Sequence, residues 1–141
     1  MISFLIEIIA MTIATIQDIR RKEISVGLVV AAGVVSFITC IVSIGRGAFS
    51  IEETLLSLIP GALLLLIAFI SRNNMGYGDG LLILAVGPSV GFEKCMLGLC
   101  IAFFISGIAS IALIVIKRPA KGYAIPFIPF LTLGLGVSFF A

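Results

Sequence analysis

The stretch CMLGLCIAFFISGIASIALIVI occupies residues 95–116 and contains no charged side chain. A helix rises about 1.5 Å per residue and the hydrocarbon layer of a bilayer is about 30 Å thick, so this stretch is long enough to cross a membrane. The whole chain has the same character, since 61% of its 141 residues are apolar and 11% are charged. Because a soluble domain has about a quarter of its residues charged, the sequence predicts an integral membrane protein.

Short polar breaks divide the chain into apolar segments, and each segment is a candidate membrane span. There are six of them, and the fourth is short for a full crossing: 2–17, 25–44, 54–70, 80–90, 95–116 and 125–140. The sequence therefore predicts an all-α, polytopic membrane protein with six transmembrane helices and short loops. The length allows one domain, which we expect to cover residues 1–141.

The distribution of basic residues tests the six-span prediction, because Lys and Arg in short loops favour the cytoplasmic side. With six spans, two bases, Arg46 and Lys94, lie on one side, and the other side holds seven: Arg20, Arg21, Lys22, Arg72, Lys117, Arg118 and Lys121. If the fourth segment entered the membrane and returned to the same side, the nine basic residues would divide five to four between the two sides. We therefore expect six spans, both termini outside, and the first, third and fifth loops in the cytoplasm.

The composition excludes several kinds of chemistry. The chain has no His, so it cannot form a Ser-His-Asp triad, a Cys-His pair or a His-ligated metal site. Its three cysteines, Cys40, Cys95 and Cys100, form no CxxC pair and are expected to be packing residues. A net charge of +2 gives no basic face for nucleic acid. We expect no metal, no other cofactor and no nucleic-acid partner.

Acidic residues at membrane depth are costly, so each one is a candidate functional residue. Glu52, Glu53 and Glu93 fall in the outer loops and are expected to be solvated. Glu23 follows three basic residues and is expected to form a loop ion pair. Three acids remain to be considered, namely Glu7, Asp18 and Asp79.

Asp18 and Asp79 are 61 residues apart, yet the predicted topology places both on the cytoplasmic side. Asp79 lies in a glycine-rich stretch, residues 73–80, which we expect to be a flexible turn just ahead of the fourth helix. Taken singly, Asp79 could be a helix N-cap and Asp18 a juxtamembrane charge balanced by arginines. Two neighbouring aspartates cannot both ionise easily, so one can activate water while the other, protonated, polarises a peptide carbonyl. The pair predicts aspartic peptide hydrolysis.

Glu7 precedes Asp18 by eleven residues. Eleven helical steps of 100° return to within about 20° of the same face, so Glu7 and Asp18 share a side of the first helix. We favour an interfacial position near the terminus for Glu7. The alternative is a supporting role next to the site or in a helix contact.

Three segments, in this order along the chain, resemble the type IV leader peptidases, also called prepilin peptidases, which are aspartic membrane proteases of the GxGD type. Residues 18–24 fit the pattern D-x5-I-P-N, Gly76-Tyr77-Gly78-Asp79 fits the GxGD signature, and residues 125–130, IPFIPF, are similar to I-P-F-G-P-F. The departures are Ser25 and Val26 in place of Pro-Asn, Leu81 where many members have Lys, and Ile128 in place of Gly.

This resemblance implies roles for particular residues. Asp18 and Asp79 would be the catalytic dyad, and the supporting residues of the loop and substrate site would be Gly76, Gly78, Gly80, Ile125 and Pro126. We expect no N-terminal methyltransferase domain of the kind that larger bifunctional members carry, and the sequence contains no CxxC…CxxC zinc motif. It resembles the compact, peptidase-only form found with Tad/Flp pilus systems, so cleavage without N-methylation is expected.

The resemblance also implies a substrate and a location. We expect a bacterial inner-membrane enzyme, bedded in lipid, that cuts the short basic leader from a prepilin or pseudopilin after a glycine at the cytoplasmic face. The alternatives are a GxGD protease with other substrates, such as a preflagellin peptidase, and a small proton-coupled transporter or assembly subunit. A presenilin-like protease is disfavoured because its Pro-Ala-Leu element is missing and Gln17 precedes Asp18. The oligomeric state is open, and no span shows a persuasive small-xxx-small face for self-association.

Overall fold

The computed structural model describes residues 2–21, 26–48, 50–71, 77–118 and 125–141, apart from the side chains of residues 2–4, 18 and 21. Within these ranges the chain forms helices and no strand. The helices are α1 (Ile2–Arg21), α2 (Val26–Gly45), α3 (Ile51–Leu56), α4 (Ile59–Ile70), α5 (Tyr77–Val90), α6 (Phe92–Lys117) and α7 (Ile128–Phe140). The predicted all-α class is confirmed.

Each predicted span corresponds to one helix or, for the third, to α3 and α4 with the turn at residues 57–58 between them. Three described stretches are long and apolar enough to cross a membrane: Val26–Gly45, Ile51–Ile70 and Phe92–Lys117. The apolar part of α1 and the helices α5 and α7 are shorter. The membrane character is therefore supported, and the count of six crossings stays a prediction.

Several helix boundaries differ from the predicted segments. The helix of the fourth predicted segment, α5, begins at Tyr77 instead of Gly80. The helix of the fifth, α6, begins at Phe92 instead of Cys95. Only Gly91 separates α5 from α6, and its φ of 87° is a conformation that favours glycine. The last helix begins at Ile128 instead of Ile125, with a proline in its first turn, where a missing N–H costs no hydrogen bond.

The bundle buries alanines alongside large apolar residues such as Leu82 and Ile128, while many other large apolar residues lie on its outer surface. Alanines are among the most buried residues, for example Ala14, Ala68 and Ala102. In contrast, the side chains of Phe69 and Phe104 are 72% and 71% exposed. Helices in lipid associate through close van der Waals packing of small residues, so this distribution is the one expected of a bundle surrounded by hydrocarbon.

The contact between α6 and α7 shows how close this packing is. A Cβ at Gly134 of α7 would overlap the carbonyl oxygen of Gly98 and lie 2.9 Å from the amide nitrogen of Ala102, both on α6. Gly98 and Ala102 are four residues apart, as are Gly134 and the buried Ser138. Both helices thus present a small-xxx-small face. Our expectation that no span shows a persuasive small-xxx-small face is wrong for α6 and α7, which use this face to pack on each other, and self-association stays open.

Helix α5 occupies the centre of the bundle, where it packs against α2, α4 and α6, while α1 packs against α2 and α7. A Cβ at Gly61 of α4 would lie 2.6 Å from the Leu84 backbone of α5. A Cβ at Gly87 of α5 would lie 2.5 Å from the Ser57 carbonyl oxygen. These approaches hold the backbone of α5 firmly against its neighbours.

Candidate active site

Asp79 lies in the first turn of α5, and its side chain is half-buried. Because the helix already begins at Tyr77, Asp79 is inside the helix. The expected turn is therefore helical at residues 77–80, its residues 73–76 lie outside the described part of the chain, and the alternative of an Asp79 N-cap is wrong. The helical geometry fixes the backbone of Asp79 relative to the buried core of α5.

The glycines beside Asp79 differ in their surroundings. Gly78 is half-buried and Gly80 is buried. A Cβ at Gly80 would lie 2.9 Å from the Leu65 side chain and 3.0 Å from its amide nitrogen, so glycine allows α5 to start close against α4. The third predicted supporting glycine, Gly76, lies outside the described residues.

Asp18 falls in the last turn of α1, which continues to Arg21. Its side chain is outside the described part of the structure, as is the predicted loop ion pair of Glu23. The backbone position of residue 18 is described, and the contacts of α1 show its level along the bundle.

The first indication of this level comes from the outer half of α1 and α5. The Ser89 side chain of α5 lies close to the Glu7 carboxyl of α1. Residue 18 lies eleven residues after Glu7 in α1, and residue 79 lies ten residues before Ser89 in α5, which runs antiparallel to α1. At 1.5 Å per residue, these separations are about 16 Å and about 15 Å in the same direction. Positions 18 and 79 are thus at nearly the same level.

A second series of contacts gives the same level through different residues. The hydroxyls of Thr15 in α1 and Thr132 in α7 are 2.9 Å apart, so residue 18 lies opposite residue 129. Phe127 packs on Phe103 of α6 with ring centroids 5.1 Å apart. Since α5 and α6 meet at Gly91, residues 79 and 103 are each twelve residues from the turn. The starts of α5 and α7 and the end of α1 therefore lie at one end of the bundle.

The predicted supporting residues Ile125 and Pro126 lie directly ahead of α7 and are half-buried. Phe127 follows them and joins the edge of the core. The Phe127–Phe103 contact holds this segment at the same end of the bundle as Asp79. Their part in substrate binding stays a prediction.

Glu7 lies between helices of the bundle. Its side chain is only 5% exposed, and its interfacial depth in the membrane stays a prediction. Its oxygen Oε1 has no hydrogen-bond partner among the described residues. Glu7 also lines a cavity of about 20 Å³ between α1, α5 and α7. The alternative expectation of a helix contact fits this position.

Ser89 and Thr132 are polar residues near Glu7 that the sequence analysis did not select. Each is a hydroxyl residue within an apolar helix, which is the signal that could have identified them. Their hydroxyls also bond to helix carbonyls, as hydroxyls in apolar helices commonly do, so the sequence pattern alone gives no sign of a partner on another helix.

The remaining acids and the cysteines have structural surroundings. Glu52, Glu53 and Glu93 are exposed as predicted, although each lies in the first turn of a helix instead of in a loop. Cys40 and Cys95 are buried packing residues, whereas Cys100 is on the outer surface. Among the residues described, no group of three or more Cys, Asp and Glu side chains could hold a metal ion.

The apolar outer surface and the acidic residues on the helices define the chain as a polytopic membrane protein with a candidate site between its helices. A family model described as the type IV leader peptidase family matches residues 5–111. The chain belongs to this family, and it is a peptidase-family membrane protein. The match includes position 18 and the GxGD stretch, while residues 125–130 lie beyond it. Neither a curated protein nor a solved structure matches the chain.

Proposed function

We propose that the protein is an aspartic endopeptidase that removes the short basic leader from type IV prepilin or pseudopilin precursors at the cytoplasmic face of the inner membrane. Asp18 and Asp79 are its catalytic pair. The observation that carries this proposal is the common level of position 18 and Asp79, reached through the contacts of two different sets of residues in a chain of the leader peptidase family.

The proposed reaction needs one ionised and one protonated aspartate. The ionised carboxylate takes a proton from water, and the water oxygen bonds to the carbonyl carbon of the scissile peptide. The protonated partner gives its proton to the carbonyl oxygen. In the second step the C–N bond breaks, the amine nitrogen receives a proton from the carboxyl that accepted one, and a hydroxyl proton of the diol returns to the other carboxylate. The pair ends with one shared proton, as it began.

The proposed orientation rests on the basic residues at the same end of the bundle. Arg20 at the end of α1 and Lys117 at the end of α6 are exposed, as is Arg118. Positively charged ends favour the cytoplasmic side. With this orientation both termini lie outside, and the precursor's leader stays in the cytoplasm while its apolar helix enters the bilayer beside the protein.

The test is leader removal in cells that co-express the protein and a prepilin with a basic leader and a glycine at the cut site. Asp18→Asn and Asp79→Asn should each abolish the loss of mass that cleavage causes, because an amide cannot exchange the required proton. Glu52→Gln is the matched control, since it removes an exposed acid in the outer region and should leave processing unchanged.

Normal processing by either aspartate variant would contradict the assignment of the pair. If the wild-type protein cleaves only preflagellin precursors, the proposed substrate is wrong and the chemistry stands. If it cleaves neither precursor but takes up solute in liposomes with a proton gradient, it is a transporter and the proposal fails.

A further inference from the structure

Two hydroxyls that take no part in the proposed reaction meet between α1 and α7. The oxygens of Thr15 and Thr132 are 2.9 Å apart, and both side chains are half-buried. Two other described hydrogen bonds between helices are longer, from Ser36 to the Val86 carbonyl at 3.5 Å and from Cys40 to Thr54 at 3.7 Å. The Thr15–Thr132 contact is thus a short polar link between two apolar helices.

This link lies close to the proposed catalytic position on α1. Thr15 precedes residue 18 by three residues, about 4.5 Å along the helix, and three helical steps of 100° return to within about 60° of the same side. Thr132 lies in the second turn of α7, six residues after Pro126. The link therefore joins the site end of α1 to the helix that follows the Ile125–Pro126 segment.

The packing of α1 makes this link important for the position of residue 18. Helix α1 packs mainly against α2 and α7, whereas Asp79 is on α5. Helix α7 is in turn held against α6 by the close approach of Gly134 to Gly98 and Ala102. A change in the spacing of α1 and α7 would therefore shift residue 18 relative to the rest of the site, while α6 and α7 stay in place.

The protons of the two hydroxyls show what the link costs. Thr15 can donate to the Met11 carbonyl at 2.9 Å, and Thr132 can donate to the Ile128 carbonyl at 3.0 Å. Each hydroxyl has one proton and two lone pairs, so two protons serve three contacts. One threonine donates to its own helix, and the other donates to its partner hydroxyl. If either hydroxyl is removed, the remaining one still has a carbonyl to bond, so no buried donor is left unpaired.

We propose that Thr15 and Thr132 are positioning residues for leader cleavage. The hydrogen bond between their hydroxyls sets the spacing of α1 and α7, and so holds residue 18 in place relative to Asp79 and to the segment ahead of α7. Neither threonine touches the reacting atoms. The inference rests on the proposed function, which assigns the reaction to Asp18 and Asp79.

The spacing depends on the hydroxyls because other groups cannot approach so closely. A carbon atom and a neighbouring heavy atom are in favourable contact at about 3.5–4.0 Å, whereas the two oxygens are 2.9 Å apart. A methyl in place of either hydroxyl would therefore move α1 and α7 apart by about 0.5–1 Å. A misplacement of about 1 Å can lower a rate by about 10²-fold.

Kinetics of leader cleavage test this role. Thr15→Val and Thr132→Val each replace the hydroxyl by a methyl, so kcat should fall by about tenfold. KM should change less than about twofold, because neither threonine contacts the precursor in this proposal. Thr15→Ser keeps the hydroxyl and should retain kcat within about twofold. The double valine variant should be no slower than the single ones, since both changes remove the same bond.

Thr12→Val is the matched control, because Thr12 lies one turn earlier in α1, is exposed, and bonds to the Ile8 carbonyl of its own helix at 2.7 Å. It should leave kcat unchanged. Wild-type kcat in Thr15→Val, or an equal loss in Thr12→Val, would overturn the inference. A loss in Thr15→Ser as large as that in Thr15→Val would overturn it too. Thermal unfolding in detergent checks that each variant is folded.

A crosslinking experiment tests the contact without any precursor. A disulfide needs its sulfur atoms about 2 Å apart, so Thr15→Cys combined with Thr132→Cys should form one under a mild oxidant. The chain has three cysteines of its own, so the oxidised double variant should keep three maleimide-reactive thiols after denaturation, and each single variant four.

The two experiments separate the inference from the proposed function. If the double cysteine variant keeps all five thiols after oxidation, the contact between α1 and α7 is absent and the inference fails, whatever the protein cleaves. If the crosslink forms but the wild-type protein cuts no prepilin, the proposed function fails. The positioning role then fails with it, and only the contact itself stands.

Discussion

The two halves of α6 are similarly apolar but pack in opposite ways. In the first half, Cys95, Leu99 and Ala102 are buried, and Gly98 lies against α7. In the second half, Phe104, Ile111 and Ile116 are 71%, 65% and 77% exposed. Side-chain size alone does not explain the difference, because the second half also carries two small residues four residues apart, Ser106 and Ser110. The packed half is the one that α7 crosses, where Gly98 and Ala102 allow its backbone to come close.

The largest expected effect comes from disrupting the packing of the first half of α6 against α7. Gly134→Val in α7 would place side-chain atoms where the Gly98 carbonyl and the Ala102 amide already lie. Since backbone atoms of α6 cannot move aside easily, we expect a loss of stability of about 3 kcal/mol or more. Denaturant titration of the purified protein in detergent micelles measures it. Gly136→Val is the matched control, because open space surrounds a Cβ at Gly136.

Gly80→Ala should have a smaller effect on stability and a clearer one on activity. The new methyl would press on the Leu65 side chain, which can shift, and on its amide nitrogen. Alanine gains up to about 1 kcal/mol over glycine inside a helix, which offsets much of this strain. We expect a free energy of unfolding within about 1 kcal/mol of the wild-type value. Leader cleavage should be severalfold slower, because the start of α5 moves. Unchanged cleavage would show that the close approach to α4 does not position Asp79.

The smallest effect is expected in the exposed half of α6. Ile111→Ala removes side-chain atoms that contact few protein groups, so the stability in detergent should stay within about 0.5 kcal/mol of wild type. Leu99→Ala in the buried half is the comparison, and it should cost about 2–5 kcal/mol. Equal effects of the two substitutions would mean that another part of the protein or a second copy covers the exposed half.

The sequence predicted the helices well because each apolar segment carries its own signal. It did worse where the structure depends on contacts between segments. The turn at Gly91 was predicted as residues 91–94, because the charges of Glu93 and Lys94 resemble a loop, whereas both residues lie in the first turn of α6. Lys94 has a local reason to be there, since its Nζ lies 4.6 Å from the centre of the Phe139 ring.

The candidate site shows the same division. The GxGD motif and the distribution of basic residues predict that Asp18 and Asp79 lie on the same side of the membrane. The described backbone supports a common level for these two positions along the bundle. The burial of Glu7 could not be predicted, because helical periodicity gives its face but not the helix that covers that face. The roles of Ile125 and Pro126 depend on the resemblance alone, since the family match ends before them.

The connection of α5 to α6 through Gly91 has a mechanical consequence. A one-residue joint gives no slack for sliding, so α5 can change its position relative to α6 mainly by tilting about this point. Asp79 is twelve residues from it, about 18 Å along the helix, so a tilt of about 10° would carry Asp79 about 3 Å. The same tilt moves Gly87, four residues from the joint, by only about 1 Å. The close approaches of Gly61 to Leu84 and of Gly80 to Leu65 lie seven and eleven residues from the joint, so such a tilt requires α4 to move together with α5.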